Sequence, residues 1–199
     1  MSLVTKEKKP GIIRETPMTY GEYASLPEDG NRYELVDGFL ELMSPSASTL
    51  HQLISHRIQF KLTQTCDRDN IILDAPIDLI LSDREVRQPD LVVLHRSRLS
   101  LLTRRGIEGP PDLVAEILSP SSIRRDKVGK RNTYAKYGIP EYWIIDPASW
   151  TLEQYVLTDS GAYDLLDVFA GDEPVRSERL PCVSFTMEEV RTAIPDIRD

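Results

Sequence analysis

The sequence predicts a mixed α/β (α+β) fold, a layered sheet with antiparallel additions, and three observations carry that prediction. Segments in the middle of the chain read in the order helix, three strands, helix, strand. Two of the strand segments, 86–94 and 113–118, are nearly continuous in apolar character, as strands buried on both faces are. Asp37-Gly38, a dipeptide that tolerates the positive φ angles of a tight turn, stands between β-rich flanks in Arg32–Met43 and predicts an N-terminal hairpin.

The elements follow in order. Residues 1–17 mix Lys, Glu and Pro without periodicity and read as a mobile arm, and 18–199 as a single domain. Thr19 and Glu22 form a capping-box pattern that starts a short helix reaching about Leu26. After the hairpin and a loop at Ser44-Pro45-Ser46, apolar residues at Leu50, Leu53, Ile54, Ile58 and Leu62 recur at helical spacing. Strands are expected at 71–80, 86–94 and 113–118. A second helix fits 123–137, closed by Gly138 with Pro140 beyond it. A core strand at 142–145, a C-terminal antiparallel pair at 152–157 and 163–169 around Ser160-Gly161, and a capped helix at 186–193 complete the chain.

Composition bounds the function. The chain has 199 residues, 40% of them hydrophobic and 28% charged, enough to bury a core, which excludes a disordered or fibrous protein. No apolar run approaches the roughly 18 residues that cross a bilayer, and MSLVTKEKKPGIIRE is too polar for a signal peptide, so a cytoplasmic location is expected, with no membrane partner. The GxGxxG and GxxxxGK[ST] patterns are absent, which argues against nucleotide-driven chemistry. Cys66 and Cys182 lie far apart without metal-ligand spacing, and both are expected to be reduced and structural. The net charge of −8 by itself argues against a nucleic-acid partner. Between Arg84 and Lys136, however, twelve Lys and Arg stand against six acids, a local balance of +6, and the rest of the chain carries −14. A basic segment therefore surrounds the residues that carry chemistry.

Glu116 is the first of these, because its neighbours in Leu113–Leu118 all favour burial. A buried carboxylate needs a cation, a metal ion or a raised pKa, and a structural ion pair is the alternative to a functional site. Asp90 follows Pro89 and opens Leu91-Val92-Val93-Leu94, which puts a second acid at the mouth of the same sheet. A divalent ion between two such carboxylates removes their repulsion, and Mg²⁺ takes one or two carboxylates with waters and phosphate oxygens. Asp112 precedes its strand and reads as structural. Lys130, on the second helix, either turns toward the sheet with Ile123, Tyr134 and Tyr137 or forms an exposed pair with Asp126. Glu34 and Glu41 oppose each other in the hairpin, so either water screens both or one serves a site. His51 lies beside the apolar stripe of its helix, where a core role is the commoner one; His56 and His95 offer less. Tyr142 and Trp143 read as core.

Together, Arg32-Tyr33-Glu34-Leu35-Val36-Asp37-Gly38, Pro89-Asp90, Glu116-Ile117-Leu118-Ser119-Pro120-Ser121, the helix with Asp126, Lys130, Tyr134 and Gly138, and Pro140-Glu141-Tyr142-Trp143 with Asp146-Pro147 resemble a known family. It is the restriction-endonuclease-type family called domain of unknown function 820, within the PD-(D/E)XK nuclease superfamily, and the resemblance covers roughly residues 18–195. It implies a restriction-endonuclease-like αβββαβ core and a phosphodiester substrate attacked by water. It also implies Asp90, Glu116 and the backbone carbonyl of Ile117 as ligands of Mg²⁺ or Mn²⁺. The superfamily lysine stands two residues after the Glu, where this chain has Leu118. Lys130 is the migrated candidate, Lys127 the fallback, Glu34 an added acidic group and His51 a weaker contributor.

The leading expectation is a Mg²⁺-dependent DNA endonuclease with Asp90, Glu116, Lys130 and Glu34 in its catalytic site. A nuclease-fold protein that binds nucleic acid or a protein partner without cutting, motivated by Leu118, is the alternative. A metal-dependent hydrolase of another phosphoester shares the same acids. Paired cuts on both strands are simplest with a two-fold homodimer.

Overall fold

The computed structural model describes residues 16–43 and 47–197; the expected arm up to residue 15 and the Ser44-Pro45-Ser46 loop lie outside them. Helix α1 (Tyr20–Ala24) starts on the predicted capping box, with the Thr19 hydroxyl accepting from the Glu22 N–H and the Glu22 carboxylate accepting from the Thr19 N–H. Strands β1 (Tyr33–Val36) and β2 (Phe39–Leu42) form the hairpin, which turns on Asp37 at φ 48° and Gly38 at φ 89°. Helix α2 (Thr49–Cys66) is capped by Ser48, whose side chain accepts from the His51 N–H.

The expected strand at 71–80 is two strands, β3 (Asn70–Asp74) and β4 (Leu79–Ser82), in different sheets. The expected strand at 86–94 likewise divides into β5 (Glu85–Arg87) and β6 (Leu91–His95). Each break contains a proline, Pro76 or Pro89, which has no N–H to donate to a ladder, and there the chain crosses between sheets. A 3₁₀ turn at Arg96–Leu101 and the short strands β7 (Leu102–Thr103) and β8 (Gly106–Glu108), none of which the sequence pattern announces, lead into β9 (Leu113–Ile117).

The second helix runs as expected from Ile123 to Lys136, but it widens into a π-helical turn over Arg125–Lys130 before the regular helix α3 (Arg131–Lys136). Gly138 ends it at φ 75°. Strands β10 (Glu141–Asp146), β11 (Thr151–Leu157) and β12 (Tyr163–Ala170) and helix α4 (Met187–Thr192), capped by Thr186 and Glu189, follow the predicted order.

One sheet has the order β12-β11-β10-β9-β6-β3, the other β2-β1-β5-β4-β8-β7. In the first, β3, β6 and β9 are antiparallel neighbours, and the second helix carries the chain across to β10, parallel to β9. With α2 ahead of β3, this is the αβββαβ core. One face of that sheet buries Leu113, Ala115, Ile117, Trp143 and Ile145 against Ile54, Ile58 and Leu62 of α2. The opposite face buries Val92, Val114, Tyr142 and Ile144 against Tyr134 of α3 and Leu79 and Ile107 of the second sheet. Because side chains alternate along a strand, Glu116 shares the face of Val114 and points at α3 and the second sheet.

Two features differ from, or add to, the sequence expectation. Cys66 and Cys182 are bonded to each other, not reduced: the end of α2 packs beside the C-terminal segment and brings together residues 116 apart in the chain, which spacing alone does not show. Gly38 donates its N–H to the Arg84 carbonyl and accepts from the Met18 N–H, so the hairpin turn is clamped on both sides. A Cβ at Gly38 would lie 2.5 Å from Pro17 Cβ. Gly38→Ala combines that clash with a positive φ and should destabilise the protein by about 1–3 kcal/mol, read as a lower thermal unfolding temperature.

Candidate active site

The site lies at the end of the first sheet where β9 and β10 finish and β6 begins. A cavity of about 860 Å³ opens there, lined by Asp90, Glu116, Asp126 and Lys130, by His51 on the first turn of α2 and by Arg32 and Arg125. Asp90 stands immediately before β6, and its Oδ2 accepts the Ile117 N–H at 2.7 Å, which locks the start of β6 to the end of β9. Residue 117 turns both main-chain groups to one side of its strand, so its carbonyl faces the same side as the N–H that Asp90 holds. His51 Nε2 lies 3.0 Å from the same Asp90 oxygen. Burial opposes a charge on that imidazole, yet the contact with Asp90 outweighs it and raises the His51 pKa.

Glu116, 2% exposed, receives the Lys130 ammonium at 2.8 Å and the Tyr134 hydroxyl at 2.7 Å, both on Oε1. Burial raises its carboxyl well above the usual range; Lys130 offsets part of this, and the charges of Asp90 and Asp126 add to it. Lys130 also lies 3.4 Å from Glu34 and 3.9 Å from Asp126. The exposed Asp126–Lys130 pair that the spacing allowed is therefore not what forms, since both side chains are buried. Lys130, at the end of the π turn, points inward, and Tyr134 follows one turn later on the same face, while Ile123 stands half exposed at the cavity wall. Lys127 points elsewhere, to Glu153 at 2.7 Å.

Glu34 resolves the hairpin's opposed acids: the register does pair it with Glu41, but Glu41 is exposed and Glu34 is buried. Its carboxylate accepts the Gln88 N–H at 2.9 Å and meets Arg87 at 3.3 Å. Burial alone would raise its pKa, and Lys130 and Arg87 together bring it below the usual value. Arg87, which the sequence pattern did not mark, also binds Glu85 at 2.6 Å and the Thr133 hydroxyl at 3.1 Å, tying the second sheet to α3. Its only sequence signal is a charged residue in a short strand three positions before Asp90.

A comparison within the protein separates this cluster from an ordinary buried acid. Glu141 is 1% exposed, but its oxygens accept from Trp143, Gln154 and Ser177, and it does not line the cavity. At the site, among the described residues, both Asp90 contacts fall on Oδ2 and both Glu116 contacts on Oε1. Asp90 Oδ1 and Glu116 Oε2 remain for something else to bind. Asp112 is structural as expected, holding Arg98 and the His95 N–H at the opposite end of β9. The basic segment is less free than its balance: Arg96, Lys127 and Lys136 pair with Asp67, Glu153 and Asp37 from outside it. Arg125 does line the cavity, and its Nε has no hydrogen-bond partner. No helix among the described residues is long and apolar enough to cross a membrane.

Among solved structures the chain is similar to one from Anabaena variabilis ATCC 29413, described as a putative nuclease belonging to DUF820. The two are 21% identical with a TM-score of 0.71, over 88% of this chain and 98% of that one, which speaks for a shared fold. None of the curated proteins matches the chain. Residues 20–188 match the model of the Uma2 family, described as "Putative restriction endonuclease", and by that span the chain belongs to this family.

Proposed function

We propose that the protein is a Mg²⁺-dependent endonuclease that hydrolyses phosphodiester bonds in DNA. The observation that carries this reading is the buried junction of Asp90, Glu116 and Lys130 at the cavity, backed by Glu34. The donor set fits a hard divalent cation. Three carboxylates, of Asp90, Glu116 and Asp126, line the cavity with His51 and Arg125, and Glu34 stands behind them against the buried Lys130. Asp90 Oδ1, Glu116 Oε2 and the Ile117 carbonyl are the oxygens that would hold it. Bound there, the ion would polarise a phosphoryl oxygen and make a water more acidic.

The chain's own residues do the rest. Lys130 supplies positive charge beside Glu116, where a phosphoryl group would gain negative charge as water adds to phosphorus and one ester oxygen leaves. Tyr134 and Lys130 fix the orientation of Glu116, and His51 and the Ile117 N–H fix that of Asp90. Arg125 lines the cavity, where its positive charge would favour a backbone phosphate. The non-cleaving alternative draws on Leu118 in the usual lysine position; the contact of Lys130 with Glu116, which brings a lysine to the acid from the helix, supports the cleaving reading.

The test is incubation of plasmid DNA with Mg²⁺ or Mn²⁺ and the wild-type protein or Asp90→Ala. Nicking or linearisation by the wild type alone is the expected outcome. Equal cleavage by both, or by neither, would refute the reading.

A further inference from the structure

Among the described residues, Asp126 is the cavity carboxylate with a fully buried oxygen that has no hydrogen-bond partner. It is 2% exposed and lines the cavity with Asp90 and Glu116, and its Oδ1 is buried without a hydrogen-bond partner. Lys130 Nζ and Arg125 Nε each stop 3.9 Å short of that oxygen, too far for a hydrogen bond. The main chain, by contrast, is well anchored. The Asp126 N–H donates to the Ser122 carbonyl at 2.9 Å, and its carbonyl accepts from the Arg131 N–H across the π turn and from the Tyr142 hydroxyl at 3.2 Å. The backbone therefore holds the side chain at the cavity wall.

A buried polar atom left unsatisfied costs about 1–3 kcal/mol, and more when charged, so its retention points to a ligand that satisfies it. The surrounding charge selects the ligand's sign. Asp90 and Glu116 share the cavity wall with Asp126, and the cations nearest to them already face carboxylates, so the site calls for a cation rather than an anion. Among the described residues no three of His, Cys, Asp and Glu converge as a ligand set for one ion, which argues against direct ligation by all three acids. Mg²⁺ keeps several of its waters when bound, and those waters need acceptors.

We propose that Asp126 Oδ1 accepts a hydrogen bond from a water of the cation held by Asp90 and Glu116, which makes Asp126 a positioning residue of the site. This rests on the metal-dependent reading above. Four residues apart on one helix, Asp126 and Lys130 share a face, and both are buried there, the acid at the cavity wall and the ammonium against Glu116.

Calorimetric titration of Mn²⁺ into wild type, Asp126→Ala, Asp126→Asn and Asp90→Ala, with thermal unfolding of each without metal, tests it. Asp126→Ala should bind Mn²⁺ about 10–100-fold more weakly, the range for outer-shell partners of metal ligands. Asp126→Asn, whose amide oxygen still accepts, should lose less. The metal-free unfolding temperature of Asp126→Ala should be no lower than that of the wild type, because an unsatisfied buried group has been removed. Wild-type Mn²⁺ affinity in both Asp126 variants, with binding lost in Asp90→Ala, overturns this proposal and leaves the metal reading standing. Unchanged affinity with a lower unfolding temperature assigns Asp126 to supporting Lys130 and also overturns it. If the wild type binds no Mn²⁺, or Asp90→Ala binds as well as wild type, both fall together.

Discussion

Glu116→Gln is expected to lower DNA cleavage by about 10²–10³-fold while the protein stays folded. The substitution keeps the side chain's size and an oxygen to accept from Lys130 and Tyr134, so the packing around it survives. It removes the charge. Burial raises the Glu116 carboxyl well above the usual range even with Lys130 against it, so the surroundings disfavour the charged form. An uncharged amide needs no such support, and the change in stability should stay within about 1–2 kcal/mol. Cleavage rates in Mg²⁺ alongside thermal unfolding separate the two effects. A variant that cleaves within a few fold of the wild type would remove Glu116 from the proposed site.

Lys130→Ala should fail in both respects. It leaves Glu116 with no cation and Glu34 with Arg87 alone, and breaking a buried charge cluster from one side costs about 3–5 kcal/mol. Burial by itself would lower the lysine pKa, but Glu116, Glu34, Asp126 and Asp90 outweigh it and raise it. A lysine whose pKa is raised on folding contributes stability that is complete below its unfolded value and fades only as pH climbs through the folded one. The contribution is therefore present throughout the neutral range. Denaturant unfolding at neutral pH should show the loss, and cleavage by the folded fraction should fall by about 10²-fold or more. Lys127→Ala is the control. Lys127 is 33% exposed and pairs with Glu153, so its removal should cost no more than about 1 kcal/mol and leave cleavage unchanged. Equal effects of the two substitutions would reject the assignment of Lys130.

The Glu116–Lys130 contact also shows how far sequence reading reaches. Glu116 and Asp90 were legible because a carboxylate among apolar strand residues contradicts its surroundings. Lys130 was ambiguous, because spacing to Asp126 describes an exposed pair as well as an inward one, and only packing against the sheet and Glu116 decided between them. Arg87 and the orphaned oxygen of Asp126 were missed, since neither the partners of a charged side chain nor their absence can be counted along a chain. The charge count of the basic segment likewise includes Arg96 and Lys136, which the fold pairs with Asp67 and Asp37 from other parts of the chain.

What the sequence determined by itself is local. The capping boxes at Thr19 and Thr186, the turn at Asp37-Gly38 and the stop at Gly138 each depend on residues within a few positions of one another, so short-range pattern is enough to find them. Tertiary structure alone decided which sheet each strand joins, where the strands break at Pro76 and Pro89, the bond between Cys66 and Cys182, and which lysine meets Glu116. Those outcomes rest on strand pairing and burial between distant segments, and their energies exist only once the chain has brought the partners together.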